Sequence, residues 1–134
     1  MRSFLATLLF ILASVTYVWA SPNEPIQATI SAQLDAFDED DFERAFTYAS
    51  PRIQQIFGTT ENFASMVQRG YPMVWRKTSV RFLDLTRSGN RYDQVVQIKD
   101  LQGAVHFLRY EMIQIGQEWR INGVALLKAS DFSV

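Results

Sequence analysis

The chain has 134 residues, 48% of them hydrophobic and 13% aromatic, with a formal net charge of −1 at pH 7. That is the composition of one folding domain rather than a disordered segment, and near neutrality speaks against nucleic acid or an anionic membrane as partner. There is no cysteine, which excludes disulfides, thiolate metal sites, a cysteine nucleophile and a lipid-modified N-terminal cysteine.

In chain order, Met1-Arg2-Ser3 is a short positive segment, Phe4 to Ala13 is an apolar run interrupted by Thr7, and Val18-Trp19-Ala20 places small residues where signal peptidase cuts. We expect residues 1–20 to be a secretion signal, with the product periplasmic or secreted and beginning at Ser21. The rival is an uncleaved anchor from Phe4 to Ala20, at the lower limit of what spans a bilayer. Residues 21–134 then form one α+β domain.

The first half of that domain reads as helices. Ile26, Ile30, Leu34 and Phe37 share one helical face, with Pro25 in the first turn. Asp38 or Asp40 caps a second helix carrying Phe42, Ala45, Phe46 and Ala49. Ser50-Pro51 opens a third, with Ile53, Ile56 and Phe57 inward and Gly58 as its stop. A fourth begins at Thr60, buries Phe63, Met66 and Val67 and ends at Gly70, after which Tyr71-Pro72 reads as a rigid loop. The acids Asp38, Glu39, Asp40, Asp41 and Glu43 lack the turn glycine and distal glutamate of a Ca²⁺ loop, and acids at a helix start need no metal to explain them. No metal or other cofactor is expected.

Strands follow at about 78–86, 92–99, 104–115 and 118–129. Gly116-Gln117 suits a two-residue hairpin, which pairs Ile115 with Glu118, Met112 with Ile121, Tyr110 with Gly123 and His106 with Leu127. Asp100-Leu101-Gln102-Gly103 suits a three-residue loop with a left-handed glycine, which pairs Ile98 with His106, Val96 with Leu108 and Gln94 with Tyr110. In this register Gln94, His106, Tyr110 and Trp119 face the helices. The opposite face carries Val95, Val105, Phe107, Ile113, Ile115, Val124 and Leu126 among charged residues, too much apolar surface to leave in water. A homodimer through this outer sheet face is the partner reading it favours. Charge is divided as well: residues 21–66 hold eight acids and two bases, residues 67–134 six acids and ten bases.

The stretch from Ala36 to Gln54 (AF-x-x-DD-x-x-x-AF-x-x-ASP-x-IQ), the NF-x-x-MV-x-x-GYP-x-V of Asn62 to Val74 and the WRINGV of Trp119 to Val124 resemble a family of exported Gram-negative bacterial proteins of unknown function. One departure is Lys77, where that pattern leads us to expect proline. The family in turn resembles the nuclear-transport-factor-2-like (cystatin-like) superfamily. This resemblance implies N-terminal helices on one face of a curved four-stranded antiparallel sheet, rolled into a cone around an apolar pocket. It does not assign an activity, because that superfamily holds isomerases and dehydratases beside pockets without chemistry.

His106 is the only histidine. As a general base it needs an orienting carboxylate, and Asp93, Asp100 and Glu111 point elsewhere in this register. The residues therefore favour a non-catalytic module that binds a small apolar ligand or a partner, its pocket lined by Gln94, His106, Tyr110 and Trp119. The alternative is an acid–base isomerase or dehydratase using Tyr110 and His106.

Overall fold

The computed structural model describes Ser14 and residues 22–132. The expected secretion signal lies, Ser14 apart, outside the described residues. Five helices, α1 (Asn23–Asp38), α2 (Phe42–Thr47), α3 (Pro51–Phe57), α4 (Thr60–Gly70) and α5 (Pro72–Trp75), precede four strands, β1 (Lys77–Ser88), β2 (Arg91–Asp100), β3 (Val105–Ile115) and β4 (Glu118–Leu127). A short 3₁₀ turn, Ala129–Phe132, ends the described chain. No described helix is long and apolar enough to cross a membrane.

The helix boundaries follow from local chemistry. Asp41, rather than Asp38 or Asp40, caps α2 by accepting from the Arg44 amide. The other acids of the run are engaged elsewhere, Asp38 with Lys77, Glu39 with Arg44 and Asp40 with Arg76. Ser50 caps α3 through the Ile53 amide and Thr59 caps α4 through the Asn62 amide. Pro72 does not begin a loop: it opens α5, where a missing N–H costs nothing and the fixed φ already suits a helix.

The strands form an antiparallel sheet in the order β1-β2-β3-β4. The β2–β3 register is the expected one, Ile98 opposite His106, Val96 opposite Leu108 and Gln94 opposite Tyr110. The β3–β4 register matches only as far as Met112 opposite Ile121. A bulge then shifts it, so that Tyr110 faces Val124, not Gly123, and Phe107, not His106, faces Leu127. Because side chains alternate with period two, the extra residue moves Val124 and Leu126 to the helix side and Ala125 and Leu127 to the outer face.

The expected cone is not formed. Both edge strands, β1 and β4, lack a sheet partner on their outer side along most of their length, so the sheet is open rather than rolled up. The volume a cone would enclose is filled. Ile26, Ile30, Leu34 and Phe37 of α1 lie in one buried core with Val96, Ile98, Leu108, Tyr110 and Met112. A four-stranded meander is covered by one long helix and does not need to close on itself.

Candidate functional site

The bulge in β4 is tied down from three sides. Ser50 Oγ donates to Asn122 Oδ1 at 2.7 Å and Asn122 Nδ2 donates to Glu111 Oε1 at 2.8 Å. The backbone of Tyr48 to Ser50 lies along β4, with Ile121 N donating to Tyr48 O at 2.9 Å and Ser50 N to Ile121 O at 2.8 Å. This fixes the α2–α3 junction against the sheet, while α3 leans away from it. Ile56, expected to point inward, is 59% exposed, and α3 buries no residue completely.

A cleft of about 320 Å³ opens there, between α1, α3, α4 and the β3–β4 pair. Its floor and walls are Phe37, Phe63, Val67, Val74, Tyr110, Ile121 and Val124, and Arg52 and Ile56 stand at its exposed mouth. Phe63 is the centre of an aromatic cluster, stacked on Phe46 at 4.7 Å and on Phe37 at 6.0 Å, with Phe57 edge-on at 6.1 Å. These rings make the wall stiff as well as apolar. The volume sits at the lower end of the roughly 300–1,000 Å³ of small-molecule sites.

Tyr110 is 1% exposed and lines this cleft. Its hydroxyl has no hydrogen-bond partner among the described residues. Burial, with a smaller contribution from Tyr71, pushes its ionisation well above the usual tyrosine range, so it stays a neutral donor. The hydroxyl opens into the cleft; the buried side-chain atom left without a partner among the described residues is Gln94 Oε1.

The other three expected site residues lie elsewhere. Gln94 sits where β1 shifts register between Phe82 and Leu85, and its Nε2 donates to Leu83 O and Val95 O at 2.9 Å and to Asp84 O at 3.3 Å. Its amide thus serves the carbonyls of an irregular strand. His106 Nε2 meets Asp100 Oδ2 at 2.8 Å, which corrects the expectation that Asp100 points elsewhere: Asp100 shares the parity of Ile98, the partner of His106, and so lies on the same face. The left-handed Gly103 closes a turn in which Asp100 Oδ1 also accepts from Gln102 N and Ala104 N, which aims the second oxygen at the ring. The ring first, then these two amides, hold the Asp100 carboxyl below its ordinary range. Trp119 packs edge-on against Tyr92 at 5.4 Å. Only Tyr110 of the four lines the cleft. Arg52, Phe63, Val67 and Val124 are site residues that sequence reasoning does not single out. The Asn122-Gly123 pair inside a strand is the signal for the bulge that brings Val124 there.

The sequence matches the family described as "Domain of unknown function (DUF4864)" over residues 20–134. The chain belongs to that family. No curated protein matches it. An NTF-2 like protein of unknown function from Shewanella oneidensis is similar to this DUF4864 chain with a TM-score of 0.54 and 13% identity, over 79% of this chain and 98% of that one. A SEC-C motif containing protein from Rhodopseudomonas palustris also has a TM-score of 0.54 and 13% identity, over 75% of this chain and 77% of that one. Aln2 from a Streptomyces species has a TM-score of 0.50 and 16% identity, over 83% of this chain and 94% of that one. At these identities the likeness is one of fold: this DUF4864 domain is NTF2-like, with helices on an open antiparallel sheet.

Proposed function

We propose that this DUF4864 domain is a non-catalytic binding module whose cleft takes a small apolar or amphipathic ligand. The observation that supports it is the unpartnered Tyr110 hydroxyl in an otherwise apolar cleft of about 320 Å³. The hydroxyl opens into the cleft without a protein partner, and a ligand oxygen can take it up there. Acid–base chemistry through Tyr110 and His106 is disfavoured. They are four residues apart on one strand, about 13 Å, and no Asp, Glu or His lines the cleft. Methyl NMR with indole as a neutral probe tests the reading. Shifts confined to Val67, Ile121 and Val124, and lost in Val67→Trp, are the expected result; shifts scattered over the surface would refute it.

We further propose that the outer sheet face pairs with a second copy. After the bulge, Ile113 remains on that face and Leu127 joins it, beside Arg109, which is exposed and has no ion pair among the described residues. Glu111, which meets Asn122 and Arg91 within its own chain, is two residues along the same face, and a two-fold axis brings each Arg109 toward the other copy's Glu111. Light scattering should give twice the chain mass, halved by Ile113→Glu. A monomer at high micromolar concentration removes the proposal.

Export is proposed on the charged start, the apolar run and the Val18-x-Ala20 site, with the family match beginning at residue 20. N-terminal sequencing of periplasmic material should begin at Ser21; intact Met1 in the membrane fraction contradicts it.

A further inference from the structure

Five polar side chains line the cleft, and three of them are engaged within the chain. Gln33 Nε2 donates to Ala45 O at 3.1 Å, Tyr71 Oη donates to Val124 O at 2.9 Å, and Asn122 is held between Ser50 and Glu111. The two left are Tyr110, at the floor, and Arg52, at the mouth. Arg52 makes one long contact, Nη1 to Asn122 O at 3.4 Å, and no carboxylate lies within ion-pair distance of it among the described residues. Among the described residues no acidic side chain lines the cleft. A chain of net charge −1 therefore presents a cavity whose one charge among the described residues is positive.

We infer that the cleft selects a small organic monoanion, its carboxylate on the Arg52 guanidinium, its apolar body against Phe63 and Val67, and an oxygen at the far end accepting from Tyr110. The inference rests on the cleft being a ligand site. The chemistry of each end supports the orientation. A guanidinium presents paired N–H groups that match a carboxylate, and at an exposed mouth it meets the anion without burying a charge. The floor has no such compensation, so it takes a neutral acceptor. An uncharged apolar ligand leaves both groups unused, and a dianion brings a second charge to a wall that cannot hold it.

The test compares 3-(4-hydroxyphenyl)propanoate, its neutral amide, and indole on the full chain by calorimetry and methyl NMR. The acid should bind about tenfold more tightly than the amide, the worth of one charge-assisted contact. Arg52→Gln, a change at an exposed position, should bring that ratio to about one, chiefly by weakening the acid. Tyr110→Phe should weaken acid and amide alike, and by more than it weakens phenylpropanoate, which lacks the far oxygen. Equal binding of acid and amide, or a ratio that survives Arg52→Gln, overturns the inference while the cleft still binds indole. If indole also fails to shift the cleft methyls, the ligand site itself is wrong, and the inference goes with it.

Discussion

Two of the cavities among the described residues are nearly equal in size and differ in almost everything else. The second, about 310 Å³, lies where α1 ends against β1 and is lined by Asp35, Asp38, Lys77 and Thr78 among others. There Lys77, its side chain 7% exposed, donates to Leu34 O at 3.0 Å, Asp38 Oδ1 at 2.6 Å and Val74 O at 3.1 Å. Three donors of the lysine meet three acceptors, so its charge is spent within the chain. Beside it Asp40, at a φ of 55°, accepts from Trp75 Nε1 at 2.7 Å and Arg76 Nη2 at 2.9 Å. The acidic run is thus the glue between helices and sheet. In the apolar cleft, by contrast, a cation and a hydroxyl have been left over. Volume does not distinguish the two; whether the cavity's cation is already paired does.

The largest effect tests whether the cleft wall is core despite the gap beside it. Phe63→Ala should cost about 3 kcal/mol or more in urea unfolding, because three rings lose their shared neighbour. A cost under about 1 kcal/mol would mean that the aromatic wall is not packed. Lys77→Met comes next, at about 2–3 kcal/mol, since the Leu34 and Val74 carbonyls lose their donor. An unchanged urea midpoint would show that the polar cavity does not depend on its lysine, and the contrast would fail.

Tyr110→Phe should change stability by less than about 1 kcal/mol near neutral pH, because no protein partner is lost. Its effect appears in alkali. The folded hydroxyl ionises above the ordinary tyrosine value of 10.0, so the contribution is complete below pH 10 and is lost as pH rises through the folded value. The wild-type chain should therefore lose stability above pH 10 more steeply than Tyr110→Phe; parallel curves would place the hydroxyl in water. The smallest effect belongs to Asp100, at the same end of the sheet as Lys77. Its folded ionisation is lowered from 3.8, chiefly by His106, so its contribution is present above that value and lost as pH falls through the folded one. The stability gap between wild type and Asp100→Asn should close as the pH is taken below 3.8, measured by urea titration; a gap that persists in acid would remove the charge from the explanation.

Periodicity, caps and turn residues carry most of the fold on their own, because each acts over a few neighbouring positions. The α1 face, the Ser50-Pro51 start and both hairpins, with Gly103 and Gly116 at positive φ, are of this kind. So is the pairing of β2 with β3, which follows once a turn type is chosen. The aromatic cluster is legible only as apolar spacing, since which ring meets Phe63 depends on three separate helices.

What tertiary structure decided is where local rules compete. Whether the sheet closes is a question of how much volume α1 fills beneath it, and no window of sequence holds that quantity. The bulge at Asn122 is held by Glu111 on the neighbouring strand and by Ser50, 72 residues away, and it turns Val124 into the cleft. Asp100 and His106 are both visible in sequence, yet their contact needs the turn amides to aim one oxygen. The sequence by itself determined the four longer helices, the strands, their order and most inward faces, because those are set by neighbours, but not α5, the exposure of Ile56 or the far half of β4. The open sheet, the cleft and the two unspent groups in it were decided by distant residues meeting, because whether a polar group is satisfied depends on what the whole fold brings to it.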